Sequence, residues 1–178
     1  MYIFSGNCLC GKVTYKCYVK PKTIFNCHCE DCRRATGSVF GTNLFVPENE
    51  VKISGNLSSY SHKSDSGSTM TKMFCSNCGS LMFGRNSAKE NIMSIRAGTV
   101  IQLDLIKPEI NVFMDSKVPS TSIDNNIKHN INYGGYDLSN SEYFYNKNDI
   151  CDNLLFIENN INNVNIQDIY ISDSDYVN

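Results

Sequence analysis

Three short cysteine clusters carry the chemistry that is open to this sequence. The chain has 178 residues and nine cysteines, and seven of these cysteines fall in the motifs Cys8-Leu-Cys10, Cys27-His-Cys29-Glu-Asp-Cys32 and Cys75-Ser-Asn-Cys78. Thiolates are strong zinc ligands, and two cysteines a few positions apart can hold one ion from a single turn. The first residues lack the layout of a signal peptide, and in a reducing compartment such clusters favour metal binding over disulfides.

Glycine divides the clusters into two sets. Gly11 follows Cys10 and Gly79 follows Cys78, whereas the last cysteine of the middle motif is followed by an arginine. Glycine accepts the positive φ angles that tight metal-binding turns require. We therefore predict one closed site, in which two such turns complete the four-sulfur tetrahedron of a structural zinc. Its ligands are Cys8, Cys10, Cys75 and Cys78.

The middle motif supplies a second group, Cys27, Cys29 and Cys32, with no evident fourth ligand. A zinc held by three protein ligands keeps an open position, which is typical of catalytic sites. Three thiolates make such a site negative. The adjacent Arg33 and Arg34 would offset that charge and attract an anionic ligand, or would simply lie on a solvated turn.

The remaining cysteines and the histidines stand outside these ligand sets. Cys17 alternates with its neighbours along a strand and is predicted to be a core thiol, and Cys151 is predicted to be a free thiol without a role. His28 lies between two ligands, and we expect it to point away from them. We expect His62 and His129 to lie at the surface.

The elements that must position these clusters have the pattern of β-strands. Apolar and polar residues alternate over 12–19, and other short apolar runs follow at intervals of about 8–12 residues, separated by Gly, Pro and Asn. Only Glu30–Ala35 has a helical pattern, and 61–69 has the composition of a loop. We predict an all-β domain of short antiparallel sheets. The other strand candidates are Val39–Val46, Val51–Ile53, Leu57–His62, Met70–Phe74, Ser80–Phe83, Ile92–Ala97 and Glu109–Met114.

The composition of the chain changes near Pro119. Residues 1–119 hold 14 Lys and Arg against 9 Asp and Glu, whereas residues 120–178 hold 2 against 9 and contain 14 Asn. Asn-rich tracts are usually irregular or loosely β-prone. We predict a zinc-binding domain over residues 4–118 and an Asn-rich acidic tail over 119–178 that is irregular and partly disordered.

The overall composition excludes several classes of protein. No stretch contains the ~20 consecutive apolar residues that a membrane span needs. The positive charge of the first part is too small to indicate nucleic-acid binding by itself. We expect a protein without a membrane partner that works in the cytoplasm or, alternatively, in the nucleus.

The cysteine motifs are embedded in longer segments that follow one another in a familiar order. These segments are Gly6-Asn-Cys-Leu-Cys-Gly-Lys-Val-Thr-Tyr15, Cys27-His-Cys-Glu-Asp-Cys-Arg-Arg-Ala-Thr-Gly37-Ser-Val-Phe40 and Phe74-Cys-Ser-Asn-Cys-Gly-Ser80. In this order they resemble the glutathione-dependent formaldehyde-activating enzyme family, which is also known through centromere protein V. Ala97-Gly98-Thr99, followed by Ile110–Asp115, resembles the terminal strand region of the family.

This resemblance covers about residues 4–118 and implies a zinc-binding, Mss-four-like β-tent fold with a structural and a catalytic zinc. The structural zinc would take the four ligands paired above, and the catalytic zinc would take Cys27, Cys29 and Cys32. The implied activity condenses formaldehyde with glutathione to S-(hydroxymethyl)glutathione, formally a carbon–sulfur lyase reaction run in reverse. Zinc would activate the thiol or polarise the aldehyde.

The leading interpretation is therefore a zinc-dependent carbon–sulfur lyase-type enzyme that acts on an adduct of glutathione or of another small thiol. One alternative is a zinc-stabilised binding module without catalysis, which a fourth ligand at the second site would favour. Another alternative is a thiol redox sensor, which predicts a disulfide among the three cysteines of the middle motif under mild oxidant.

Overall fold

Eleven short strands and one helix make up the part of the chain that the computed structural model describes, residues 1–129. The helix, α1, spans Glu30–Thr36. The strands are β1 Phe4–Asn7, β2 Thr14–Cys17, β3 Thr23–Cys27, β4 Gly41–Pro47, β5 Val51–Ser54, β6 Leu57–Lys63, β7 Thr69–Cys75, β8 Leu81–Asn86, β9 Ile92–Arg96, β10 Ile110–Val112 and β11 Lys128–His129. The prediction of an all-β fold with one short helix is confirmed.

The strands form two sheets. The smaller sheet has the order β1-β2-β5 and the larger one the order β11-β10-β3-β4-β9-β8-β7-β6. Most pairs are antiparallel, but β10 pairs with β3 and with β11 in parallel. The prediction of antiparallel sheets therefore holds for most strand pairs but not for the pairs of β10. Between the end of β9 and the start of β10, the chain crosses over β4 and β3. Such a crossover connection lets a strand enter the sheet in the same direction as its neighbour.

The core lies between the small sheet and one face of the large sheet. Successive side chains of a strand point to opposite faces, so every second residue of the central strands enters this core. The large sheet contributes Ile24, Leu44, Val46, Met73, Phe83, Met93 and Ile95, and the small sheet contributes Phe4, Val13, Tyr15 and Cys17. The Tyr15 ring packs edge-on against Phe4 and Phe83. Cys17 is fully buried, as predicted.

Three strands were not predicted, and one predicted loop is shorter than expected. β3 escapes the pattern of alternation because all five of its residues are buried. β1 and β11 are short strands of four and two residues. Strands β6 and β7 extend into the predicted loop over 61–69 and leave only 64–68 between them.

The close approach of β1 to the segment after β9 requires a glycine. A Cβ atom on Gly6 would lie 2.2 Å from the carbonyl oxygen of Thr99 and 2.3 Å from the hydroxyl of Tyr15. We expect Gly6→Ala to destabilise the fold by about 1–3 kcal/mol, the usual cost of an overpacked core. Gly98→Ala is the control, because a Cβ there meets no atom within 4 Å. Urea unfolding of both variants checks this, and equal midpoints would contradict it.

Part of the predicted tail takes part in the large sheet, since β11 pairs with β10 through Lys128 and His129. The rest of the tail, including Cys151, lies outside the described residues, and the domain boundary at residue 118 stays a prediction. Within residues 1–129, no helix has the length and apolar character that would be needed to span a membrane.

Candidate metal centres and the adjoining cavity

The first cluster joins the turn after β1 to the turn after β7. It contains Cys8, Cys10, Cys75 and Cys78, whose sulfurs all lie within 4.8 Å of one another. The Sγ atoms of Cys8 and Cys10 are 3.5 Å apart, and those of Cys10 and Cys75 are 3.8 Å apart. Gly11 and Gly79 have φ angles of 75° and 72°, in agreement with the need for glycine in both turns.

The donor set of this cluster fits a tetrahedral zinc. With Zn–S bonds of about 2.3 Å, tetrahedral sulfurs lie about 3.8 Å apart. The Val13 amide donates to the Cys8 sulfur at 3.2 Å. A hydrogen bond with the Ser80 hydroxyl lowers the pKa of Cys78 to about 5, whereas burial raises the pKa of Cys75 to about 11. A bound cation would let all four sulfurs ionise together, because it offsets both burial and mutual repulsion.

The second cluster is built by the junction of β3 and α1. Cys27 is the last residue of β3, Cys29 caps the N-terminus of α1, and Cys32 lies in the first turn of that helix. The sulfurs of Cys27 and Cys29 are 3.3 Å apart, and the Cys32 amide donates to the Cys29 sulfur at 3.4 Å. Their mutual distances fit a zinc as well. Among residues 1–129, no fourth His, Cys, Asp or Glu joins these three sulfurs.

A buried polar network lies behind this junction and holds His28 away from the sulfurs. His28 is fully buried, its Nε2 lies 3.4 Å from Oδ1 of Asn111, and its ring packs against Phe40. Asn26 donates to the same Asn111 oxygen at 3.0 Å. Burial lowers the pKa of His28 and so favours the neutral ring. As expected, this histidine points away from the ligand cluster, and it anchors the turn between two of the cysteines.

The second cluster opens into a cavity of about 260 Å³. The floor of this cavity is the face of the large sheet that points away from the core. The start of α1 and the turn at 64–66 line its walls. Two cross-strand rows form the floor, one of Phe25, Asn43 and Arg96 and the other of Phe45, Ser94, Gly84 and Lys72. A site of this size is close to the lower end of the range for small-molecule pockets.

Two buried residues of the cavity floor, Arg96 and Lys72, place positive charges near the second cluster. Nη1 of Arg96 lies 4.0 Å from the sulfur of Cys32 and also donates to Oδ1 of Asn43. Hydrogen bonds from Cys27 and Cys29, reinforced by the charges of Arg96 and Lys72, hold the pKa of Cys32 well below that of an ordinary thiol. These groups therefore favour the thiolate form of Cys32.

The arginines predicted for this role lie elsewhere. Arg34 pairs with Glu30 at 2.6 Å, with 79% of its side chain exposed, and Arg33 does not line the cavity. Of the two alternatives for these arginines, Arg34 fits the solvated turn, and neither arginine lines the cavity. Sequence reasoning missed Arg96 and Lys72. The available signal was weak: each is a single charge inside an otherwise apolar strand.

The two histidines predicted at the surface are both partly buried. Nδ1 of His62 lies 3.7 Å from a carboxylate oxygen of Asp31, and only 19% of the His62 side chain is exposed. Nδ1 of His129 lies 3.2 Å from the side-chain amide of Asn111. Both residues thus lie at intermediate exposure, each beside a polar partner.

One aromatic residue of the cavity has a strained backbone. Phe113 follows β10, lines the cavity and has φ 59°, in the left-handed region that side chains with a Cβ disfavour. Such strain costs on the order of 1–3 kcal/mol and concentrates at functional sites. This observation is independent of the cysteines and points to the same cavity.

Comparison with known proteins agrees with the sequence motifs. Residues 3–116 match the model of the family described as glutathione-dependent formaldehyde-activating enzyme. An uncharacterized lyase of Schizosaccharomyces pombe is 27% identical over 114 residues, which is 64% of this chain and 80% of that protein. A crystal structure of a Rhodobacter sphaeroides protein aligns with a TM-score of 0.47 at 19% identity, over 58% of this chain and 96% of the other. The chain belongs to the glutathione-dependent formaldehyde-activating enzyme family.

Proposed function

We propose that this chain is a zinc-dependent carbon–sulfur lyase-type enzyme that forms or cleaves the adduct of formaldehyde with a small thiol such as glutathione. In the forward direction a carbon–sulfur bond forms between the thiol and the carbonyl carbon. The thiol proton ends on the former carbonyl oxygen, so that S-(hydroxymethyl)glutathione results. The observation that carries the proposal is the three-sulfur cluster in the wall of a cavity of about 260 Å³.

The two clusters would have different roles. The four sulfurs of the first cluster would hold a structural zinc, because they complete a tetrahedron without any outside ligand. Cys27, Cys29 and Cys32 would hold a catalytic zinc. When bound, that ion supplies Lewis-acid polarisation of a carbonyl and lowers the pKa of a thiol. The family and the name of the yeast relative support a lyase of this kind.

The side chains of the cavity would bind and orient the reactants. Phe25 and Phe45, whose rings contact edge to face at 4.7 Å, form an apolar part of the floor. The guanidinium of Arg96 lies 4.0 Å from the Cys32 sulfur, and its charge adds to the hydrogen bonds from Cys27 and Cys29 that lower the pKa of Cys32. Together these groups would give the floor an apolar side and a cation beside the cysteine cluster.

The test is exchange NMR of glutathione and formaldehyde with the zinc-loaded, full-length protein. We expect the protein to speed the interconversion of the free reactants with S-(hydroxymethyl)glutathione above the spontaneous rate, and chelator-treated protein to lose this effect. An unchanged exchange rate with the loaded protein would overturn the proposed reaction.

Gly84 gives a test of where the reactants bind. It lies on the cavity floor between Lys72 and Ser94, and a Cβ there would approach no atom closer than the Ser94 hydroxyl at 3.4 Å. We expect Gly84→Leu to fill the cavity and lower kcat/KM at least about tenfold, mostly through KM, while the melting temperature and zinc content stay unchanged.

Gly84→Ala is the graded control for this variant, because a single methyl group leaves most of the cavity open. Kinetics of both variants by the same NMR assay check the prediction. Equal kcat/KM values for wild type and Gly84→Leu would place the reaction outside this cavity.

A further inference from the structure

Lys72 is a buried residue on the floor of the cavity, and its ammonium has no hydrogen-bond or ion-pair partner among residues 1–129. It lies in the middle of β7, between Tyr60 on β6 and Gly84 on β8, and only 6% of the residue is exposed. Within the described part of the chain, its Nζ makes no hydrogen bond and no ion pair, although it borders the cavity. A buried charge is costly unless an opposite charge or a hydrogen-bond acceptor satisfies it.

The other cations of the cavity already have partners. Arg96 is beside Cys32 and donates to Asn43. The Arg85 guanidinium forms an ion pair with Glu48. The Lys89 ammonium lies over the ring of Phe45, 5.9 Å from its centroid. Within residues 1–129, Arg96 also keeps its buried Nε without a partner, but Lys72 is the cation of the floor whose whole ammonium a ligand can still pair with.

On the floor of the cavity the charges also leave Lys72 in excess, because the carboxylates of the lining, Glu30, Asp31 and Asp65, lie in its walls. There Glu30 pairs with Arg34, and Asp31 lies 3.7 Å from His62. Three thiolates with a divalent zinc carry one net negative charge, and Arg96, 4.0 Å from the Cys32 sulfur, offsets that charge. The positive charge of Lys72 then remains. An anionic group of a ligand would neutralise it in a cavity where charges are poorly screened.

The floor next to Lys72 leaves room for such a group. Gly84, its cross-strand partner, has no side chain, and the next position across the sheet is the small Ser94. A carboxylate above Gly84 could therefore reach the Lys72 ammonium while the rest of the ligand extends toward the cysteine cluster, which lines the same cavity.

We propose that Lys72 is a carboxylate-binding residue, so that the site prefers small thiols that carry a carboxylate over neutral thiols of the same size. This inference rests on the proposed function, since it assumes that a thiol occupies the cavity. Lys72 does not act on the reacting atoms in this account. It determines which thiols bind.

Isothermal titration calorimetry of the zinc-loaded, full-length protein tests this with two thiols of nearly equal size, 3-mercaptopropionate and 3-mercaptopropan-1-ol. For the wild type we expect Kd at least about tenfold lower for the carboxylate. In Lys72→Met this preference should fall to about one, while the Kd of the neutral thiol changes less than about threefold. Lys72→Arg should keep most of the preference. Lys72→Gln provides a second neutral variant if the methionine variant does not fold.

The other outcomes separate a failure of this inference from a failure of the proposed function. Equal weakening of both thiols in Lys72→Met would mean that Lys72 only balances the charge of the metal cluster. A wild type without preference would exclude the carboxylate subsite. If neither thiol binds the wild type, the proposed function fails as well. A preference that Lys72→Met abolishes, without any exchange catalysis, would sustain the subsite and overturn the reaction alone.

Discussion

Replacing Cys78 by serine should leave the full-length chain largely unfolded. The first cluster connects the turn after β1 with a turn 65 residues later, so a metal held there would join two parts of the chain that the small sheet alone does not hold. Structural zinc sites contribute about 10–16 kcal/mol of apparent binding free energy, against a total domain stability of about 5–15 kcal/mol. Loss of one of four ligands is therefore expected to cost most of the stability. Circular dichroism and thermal melting measure the effect.

Cys17→Ser is the matched control for this experiment. Cys17 is also fully buried, but its sulfur contacts the carbonyl oxygen of Val19 and belongs to neither cluster. A serine hydroxyl can make the same hydrogen bond, so we expect this variant to melt as one cooperative unit. If Cys78→Ser melted no lower than Cys17→Ser, the first cluster would not be a structural metal site.

Replacing Cys29 by serine should abolish catalysis and spare the fold. Cys29 lies at the junction of β3 and α1, where its cluster faces the cavity and does not connect the two sheets. Even the groups that support metal ligands typically change activity or affinity by 10–100-fold. Loss of a ligand itself should lower the catalysed exchange of glutathione and formaldehyde at least about 100-fold. Exchange NMR and thermal melting of the same sample measure both quantities.

Cys17→Ser again serves as the control, since it removes a thiol outside both clusters and should keep full activity. A Cys29→Ser variant that unfolds as completely as Cys78→Ser would contradict the division into a structural and a catalytic cluster. Full activity in Cys29→Ser would exclude the second cluster from the reaction.

Local patterns predict the elements of this fold better than their arrangement. β2 shows a clear alternation of exposed and buried residues, because one of its faces enters the core. β3 has no such alternation, because both of its faces are covered. The parallel position of β10 beside β3 depends on a long crossover connection, and no short stretch of sequence specifies where such a connection leads.

In the candidate site, too, the sequence predicts the residues that local structure brings together better than those that the strand arrangement brings together. Its cysteines are predictable because metal ligands come in turns of two to six residues, and a turn is a local structure. The cations are not predictable in this way. Arg96 is 64 residues from Cys32 along the chain and meets it only through the pairing of β4 with β9. Arg33 is adjacent to Cys32 in the sequence, yet it does not line the cavity.

The central claim of this account is that the chain has two metal sites that share no ligand. Native mass spectrometry of zinc-loaded, full-length protein tests it most directly, because the technique counts bound ions while the protein stays folded. We predict two zinc ions in the wild type and one in folded Cys29→Ser and Cys32→Ser. A single zinc in the wild type, or loss of both ions from these variants, would contradict the claim.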